Sequence, residues 1–229
     1  HKDEEQKRYL QLKAMQYQVN PHFLYNALDS IAMSARRNND STSEKMTLAL
    51  SEFFRLSLSH GMEYVTVAEE MRYVQSYLEV QSMRFPDSVT WECRIEPGME
   101  NIKVLKFILQ PLAENSLYHG FQDSGREGHI EVTAYTGKED LFFQVKDNGA
   151  GMLPEQLEKL KEEINCRQAT EKKIYEGGFG LPNVQQRLQL VYGKKAGLII
   201  ESEWDEGTCI TVIIPGGREQ KKDEESKDS

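Results

Sequence analysis

Residues 130–152 read IEVTAYTGKEDLFFQVKDNGAGM, in which two apolar runs, Ile130 to Tyr135 and Leu141 to Val145, are parted by the turn residues Gly137 to Asp140. Each run is short, apolar or alternating and bounded by turn signals, the pattern of a strand, and so short a connection joins antiparallel neighbours. The device recurs near the C-terminal end, where runs at 197–202 and 209–214 flank Asp205-Glu206-Gly207. Parallel neighbours need a crossover of roughly a dozen residues or more, so a purely parallel, doubly wound sheet does not suit this chain. Working outward, Val89 to Ile95 adds another strand, and helices are expected at Val67 to Met83, Val104 to Tyr118 and Pro182 to Tyr192. The expected fold class is α+β. Its larger part is a two-layer α/β sandwich with a mixed, mainly antiparallel sheet.

The first third of the chain follows another period. Leu10, Ala14, Tyr17, Pro21, Leu24, Leu28, Ile31 and Ala35 recur at alternating spacings of four and three, the seven-residue repeat of a helix packed in a bundle. Pro21 removes a backbone hydrogen bond, which predicts a bend near Val19 to His22. Turn residues Arg37-Asn38-Asn39-Asp40-Ser41 precede a second helix at about Ser43 to Ser59, with Met46, Ala49, Leu50, Phe53, Phe54 and Leu56 inward, and Gly61 ends it. Two such helices bury too little alone. The simplest completion is a second hairpin from an identical chain, a homodimeric four-helix bundle.

With 229 residues, 38% hydrophobic and 28% charged, the chain can bury a sizeable core, and no stretch approaches the roughly 18 apolar residues of a spanning helix. Its net charge of −9 argues against nucleic acid as a partner. Cys93, Cys166 and Cys209 lack metal or disulfide spacing and read as small thiols in a reducing compartment. The charged start His1-Lys2-Asp3-Glu4 has no signal-peptide character and is expected to be a cut from a longer chain. Residues 217–229, almost all charged or polar, are expected to form a disordered tail.

Three segments carry chemistry. In Asp147-Asn148-Gly149-Ala150-Gly151-Met152 a carboxylate at a strand end can accept from the exocyclic amine of adenine, while Gly149 and Gly151 let backbone approach the ring. Taken alone, the same hexapeptide reads as an Asx turn. In Gly177-Gly178-Phe179-Gly180-Leu181-Pro182-Asn183, glycines open a helix whose free N–H groups suit phosphate oxygens. Alone, they read as a flexible turn. The charged stretch from Leu153 to Glu176 between these segments suits a mobile lid, with a surface helix at Glu155 to Ile164. In the third segment, Leu109 to His119, helical phase puts Leu105, Leu109, Leu112 and Ser116 on one stripe, with Ile108, Asn115 and His119 at its shoulder. The Asn115 carboxamide is then a suitable magnesium ligand, better aimed than Glu114. His119 by itself reads as a helix-end histidine.

In order and spacing the three segments resemble the nucleotide-binding boxes of the GHKL ATPases, the fold shared by gyrase-type ATPases, Hsp90-type chaperones and sensor histidine kinases. The resemblance implies an ATP pocket with Asn115 on Mg2+ and Asp147 on adenine, and with Gly149, Gly151, Gly178, Gly180, Leu181 and His119 in the nucleotide-binding set. The hydrolysing members carry a general-base Glu four positions before the magnesium Asn. Here that position is Pro111, so water activation has little support.

Another acceptor lies in Asn20-Pro21-His22-Phe23-Leu24-Tyr25-Asn26. His22 follows a seam position, with Gln18, Asn26 and Asp29 on its side of the helix at i−4, i+4 and i+7. With an ordinary pKa of about 6.5, its imidazole is mostly neutral at neutral pH and keeps a lone pair for attack on phosphorus. Asn26 or Asp29 is placed to orient the ring. The heptapeptide resembles the phosphoacceptor region of LytS/YesM-type sensor histidine kinases, and the likeness extends through the three boxes to Arg187-Leu188 and Tyr192-Gly193. It implies ATP-dependent autophosphorylation of His22 and transfer to an Asp of a response regulator, by a homodimer whose sensor and membrane-spanning parts lie elsewhere. That is the cytoplasmic portion of a cell-membrane protein. Phe23 stands where the larger histidine-kinase class has an acidic base, which leaves the base unassigned. The expected divisions are a dimerisation and phosphotransfer hairpin at 1–64, the ATP-binding domain at 65–216 and the tail at 217–229. Two rivals remain: a Ser/Thr kinase of the anti-sigma type, and a nucleotide-gated dimer switch without phosphotransfer.

Overall fold

The computed structural model describes residues 21–58, 64–82, 89–121, 127–137, 139–165 and 180–216, with the backbone alone at 21–25 and 56–58. The seam positions Leu10, Ala14 and Tyr17, most of the expected bend, Gly61, Gly178, the later half of the lid and the tail lie outside these residues. The chain divides into two units, residues 1–60 and 61–229.

In the first unit α1 (Pro21–Arg37) and α2 (Ser41–Leu58) form the expected hairpin. Asn39 takes a left-handed φ of 56°, which its short polar side chain tolerates. Asp40 caps α2: its Oδ1 accepts the Ser43 N–H at 3.0 Å and its Oδ2 the Ser43 hydroxyl at 2.6 Å. Leu28, Ala32 and Ala35 of α1 are buried, as are Thr47, Ala49 and Ser51 of α2. Ile31 is 54% exposed and Ala32 takes the inward position. Within a hairpin each helix has a single neighbour, and small side chains let the two axes come close, whereas the seven-residue repeat counts positions that face further helices as well.

The second unit begins with β1 (Tyr64–Thr66), antiparallel to β3 (Lys103–Leu105), with α3 (Val67–Ser82) between them in sequence. A capping box starts α3: Thr66 Oγ1 accepts the Glu69 N–H at 3.1 Å, and Glu69 Oε2 accepts the Thr66 N–H at 2.7 Å. The main sheet contains β2 (Val89–Ile95), β4 (Gly128–Thr136), β5 (Leu141–Asp147), β6 (Gly197–Glu203) and β7 (Gly207–Ile214) in the order β2-β4-β5-β7-β6. Only β2 and β4 pair in parallel; the other three pairings are antiparallel. The sheet is therefore mixed and mainly antiparallel, as the two hairpins require.

Alternation places Ile130, Val132, Phe143, Val145, Ile210 and Val212 on one face, all buried, with Met71, Val74, Leu78, Leu112 and Leu188 of the helices also in the core. The opposite face is more open and carries Tyr135 stacked on Phe142, ring centres 5.2 Å apart. Helices α5 (Pro154–Asn165) and α6 (Leu181–Tyr192) follow the sequence reading.

The helix expected from Val104 to Tyr118 is not continuous. Its first residues belong to β3 and to a loop, α4 occupies only Gln110–Asn115, and Ser116–Gly120 forms a π-helical turn. The apolar run has helical period, but burial here is satisfied without helical backbone. Glu70, reaching in from α3, accepts the N–H groups of Phe107, Ile108 and Leu109, and Phe107 sits at φ 61°.

Candidate functional site

Asp147 ends β5 with 3% of its surface exposed. Its Oδ2 accepts the Ser116 hydroxyl at 2.7 Å, and its Oδ1 accepts the N–H groups of Gly149 at 2.9 Å and Thr208 at 3.2 Å. Burial pushes this carboxyl above its ordinary pKa, while the Ser116, Gly149 and Thr208 donors pull the other way by favouring the ionised form. A carboxylate offers about four acceptor positions, so three donors leave Oδ2 able to accept once more.

Ser116 directly follows Asn115, and its bond to Asp147 therefore joins the end of α4 to the end of β5. Two of the expected site residues are brought together in this way. Asn115 is half-buried at the last position of α4, and His119 is exposed in the π-helical turn. Interrupted helices of this kind are frequent at functional sites, since the extra residue per turn re-aims the side chains that follow. Glu114 is half-buried and accepts Gln110 Nε2 at 2.7 Å; burial raises its carboxyl pKa. Pro111 sits buried in the first turn of α4.

The glycines after Asp147 are held against protein. A Cβ on Gly149 would lie 2.5 Å from the Cα of Gly120, and one on Gly151, at φ 64°, would lie 1.9 Å from the carbonyl oxygen of Glu203. The Ala150 N–H donates to the Gly120 carbonyl at 3.0 Å, locking the two backbones side by side. What comes close at both positions is backbone of the chain itself. Gly149→Ala is accordingly expected to destabilise this unit by about 1–3 kcal/mol, since the obstruction is main chain and not a side chain that can swing away. Chemical denaturation checks it, and a variant within about 0.5 kcal/mol of the parent contradicts the close approach.

Gly180 is exposed and precedes α6 in extended conformation, φ −67° and ψ 167°, with no side-chain cap. Leu181 is buried, 5% exposed, and anchors the first turn. Pro182 has no N–H, and those of Asn183 and Val184 donate to the Gly180 carbonyl at 3.0 and 3.3 Å, so the phosphate contact expected from the sequence would fall to N–H groups ahead of Pro182.

In the hairpin, His22 lies on the described backbone of α1. Asn26 and Asp29, one and two turns further on, are exposed, and Asp29 Oδ1 accepts the Ser51 hydroxyl from α2 at 3.4 Å.

Three participants were not assigned from the sequence. Ser116 was legible only as a core position, and nothing marks in advance that its hydroxyl would find Asp147. Thr208 contributes a backbone N–H, for which side-chain identity gives no signal. Glu70 did leave a trace: with Val67, Met71, Val74 and Leu78 it shares the buried face of an amphipathic helix, and a carboxylate there must be met by donors.

A two-layer sandwich with a buried, multiply held aspartate at a strand end, opposite a helix ending in asparagine, defines an ATPase-type fold. The chain belongs to the histidine kinase-, DNA gyrase B- and HSP90-like ATPase family, whose model matches residues 100–218, while residues 10–89 match the histidine kinase family model. Sensor protein LytS of Bacillus cereus is 35% identical over 207 residues, covering 90% of this chain and 34% of that protein. Sensor histidine kinase YesM of Bacillus subtilis is 34% identical over 205 residues, covering 90% of this chain and 33% of that protein. The chain thus matches the catalytic region of LytS/YesM-type sensor kinases and spans about a third of the length of these relatives. Among solved structures, the histidine kinase domain of a blue-light activated kinase from Erythrobacter litoralis superposes with a TM-score of 0.47 at 14% identity, covering 88% of this chain and 96% of that one.

Proposed function

We propose that this chain is the phosphotransfer and ATP-binding part of a sensor histidine kinase, in which ATP phosphorylates His22 and the phosphoryl group passes to an aspartate of a response regulator. The observation that carries the reading is the Asp147 site. A buried carboxylate with two N–H donors on Oδ1 and one hydroxyl on Oδ2 is fixed in place and keeps an acceptor direction for an amine. Adenine supplies such a donor; a 6-oxo purine supplies an acceptor instead.

Asn115, half-buried at the end of α4, offers a carboxamide oxygen of the kind that magnesium takes beside substrate phosphates. When bound, that ion supplies charge neutralisation on the phosphate oxygens. The start of α6 at Gly180 and Leu181, with Gly178 before it, holds the phosphates by backbone N–H groups and the positive end of the helix. In the transfer, a lone pair on the His22 imidazole forms a P–N bond to the γ-phosphorus as the bond to the ADP oxygen breaks, and the ring proton leaves to solvent. Positioning does most of the work, because a neutral imidazole needs no base. Asn26 and Asp29 follow His22 by one and two turns of α1 and are proposed to orient its ring.

The hairpin is proposed to pair with that of a second copy. Ile31 and Leu48, 54% and 45% exposed, are apolar residues that such a bundle would cover. No helix among the described residues is long and apolar enough to cross a membrane. Attachment to one is proposed through the parts of LytS- and YesM-like proteins that this chain does not span. Incubation with γ-labelled ATP tests the central claim. The protein should acquire label that acid removes and base does not, as for a P–N bond. Acid-stable label would point to a hydroxyl acceptor, and none at all to a switch without transfer.

A further inference from the structure

The loop that enters α4 is held from two sides. On one, the Glu70 carboxylate of α3 receives the N–H groups of Phe107 at 3.0 Å, Ile108 at 2.8 Å and Leu109 at 3.0 Å. On the other, the Arg187 guanidinium of α6 donates to the carbonyls of Lys106 at 2.5 Å and Phe107 at 3.1 Å. Phe107 between them has φ 61°, a left-handed conformation that a bulky side chain adopts only when its surroundings impose it. The Phe107 ring packs on Tyr73, centres 4.8 Å apart, and one turn along α3 from Glu70 the Tyr73 hydroxyl donates to Gln110 Oε1 at 2.6 Å. Gln110 in turn donates to Glu114, the neighbour of Asn115.

Leu109, at the cap position of α4, has no side-chain oxygen of its own, and α4 is only six residues long. Glu70 therefore does from a neighbouring helix what a capping residue would do locally, with two oxygens against three donors; burial pushes its carboxyl pKa up, while the three N–H groups and Arg187 pull the other way. Glu70 is wholly buried, 0% exposed, so nothing in solvent replaces these bonds when they are lost. The two elements tied by this loop are the ones that carry Asn115 at one end and the Gly180 terminus at the other.

We infer that Glu70 and Arg187 are positioning residues, forming a clamp on residues 106–109 that sets Asn115 and the start of α6 at the separation a metal-bound triphosphate requires. This rests on the nucleotide reading given above and extends it to residues that touch no ligand. The adenine end keeps two holds that belong to neither α4 nor α6, the N–H groups of Gly149 and Thr208 on Asp147 Oδ1. Loosening the clamp should therefore weaken the phosphate end far more than the adenine end.

The test uses the 229-residue chain and two ligands, Mg-ATP measured by calorimetry and adenosine measured by ligand-detected NMR. Glu70→Gln turns one acceptor oxygen into an amide that faces an N–H donor, and Arg187→Lys replaces a two-pronged donor by one that reaches a single carbonyl. Each is expected to weaken Mg-ATP binding roughly tenfold or more, as for loss of a charge-assisted hydrogen bond, with adenosine affinity within about twofold of the parent. A parallel loss of both ligands, or no loss of either, overturns the clamp. If Glu70→Gln fails to fold, Arg187→Lys decides. Absence of binding by the parent chain itself would instead sink the nucleotide reading, and this inference with it.

Discussion

A chain carrying His22→Gln is expected to take up no acid-labile phosphate from γ-labelled ATP, while its affinity for the nucleotide stays within about twofold of the parent. Both halves of that expectation follow from where the residue lies. His22 belongs to α1, in the unit formed by residues 1–60, whereas Asp147, Asn115 and Gly180 all belong to the unit of residues 61–229. The substitution removes the one imidazole of NPHFLYN and with it the lone pair that attacks phosphorus. Glutamine is among the better helix formers, so α1 loses no intrinsic helical preference. The exposed Asn26 amide does not replace the nucleophile, since its nitrogen has no free lone pair, and an acyl phosphate on Asp29 would be told apart by its loss in base as well as in acid. Labelling undiminished by the substitution would defeat the assignment of His22. Acid-stable label that persists in the variant would move the chain toward a Ser/Thr kinase.

Much of this architecture was legible because periodicity reports burial. The five sheet strands were marked by short apolar or alternating runs, and the turns Gly137 to Asp140 and Asp205 to Gly207 were short enough to fix two antiparallel pairings. One expectation failed, that of a continuous helix from Val104 to Tyr118, because a period tells which residues avoid water and not what they meet. Leu105, Ile108, Leu109 and Leu112 are all buried, yet the first three lie outside α4 because Glu70 supplies the acceptors that helical carbonyls would otherwise provide. Ile31 keeps its place in the seven-residue count but not in the core of a single hairpin. At the candidate site the carboxylate, the asparagine and the glycines could be read from spacing. Ser116, Thr208 and Gly120 could not, since each acts through a contact between segments far apart in sequence. The Gly149 to Gly120 approach, for example, joins residues on opposite sides of the β4 and β5 hairpin.

Asp147→Asn is expected to weaken ATP binding by about 2 kcal/mol, roughly thirtyfold in Kd, and to do so without unfolding the sandwich. The distinction comes from how the donors are distributed. Two N–H groups, of Gly149 and Thr208, converge on Oδ1, and an asparagine oxygen turned that way keeps both. The amide nitrogen then occupies the Oδ2 position, facing the Ser116 hydroxyl. That hydroxyl rotates to accept, so the interior stays satisfied. The adenine amine has no such freedom: it meets a donor where it met an acceptor. A nucleotide whose purine carries a 6-oxo group reverses the mismatch, and ITP should lose nothing, or gain, in the variant relative to the parent. The pH dependence separates this account from a general loosening. Burial raises the Asp147 pKa above the ordinary 3.8, so part of the fold's stability is present at low pH and is lost as pH rises through the folded value. A donated amine favours the ionised form, so the pKa falls again when nucleotide binds, and the parent's ATP affinity should decline as pH drops through the free protein's value. Asparagine does not titrate, and the variant should lack this part of the decline, keeping only what the titration of ATP itself contributes. Equal ATP affinity in parent and variant, or an unchanged preference for ATP over ITP, would place the adenine somewhere other than Asp147.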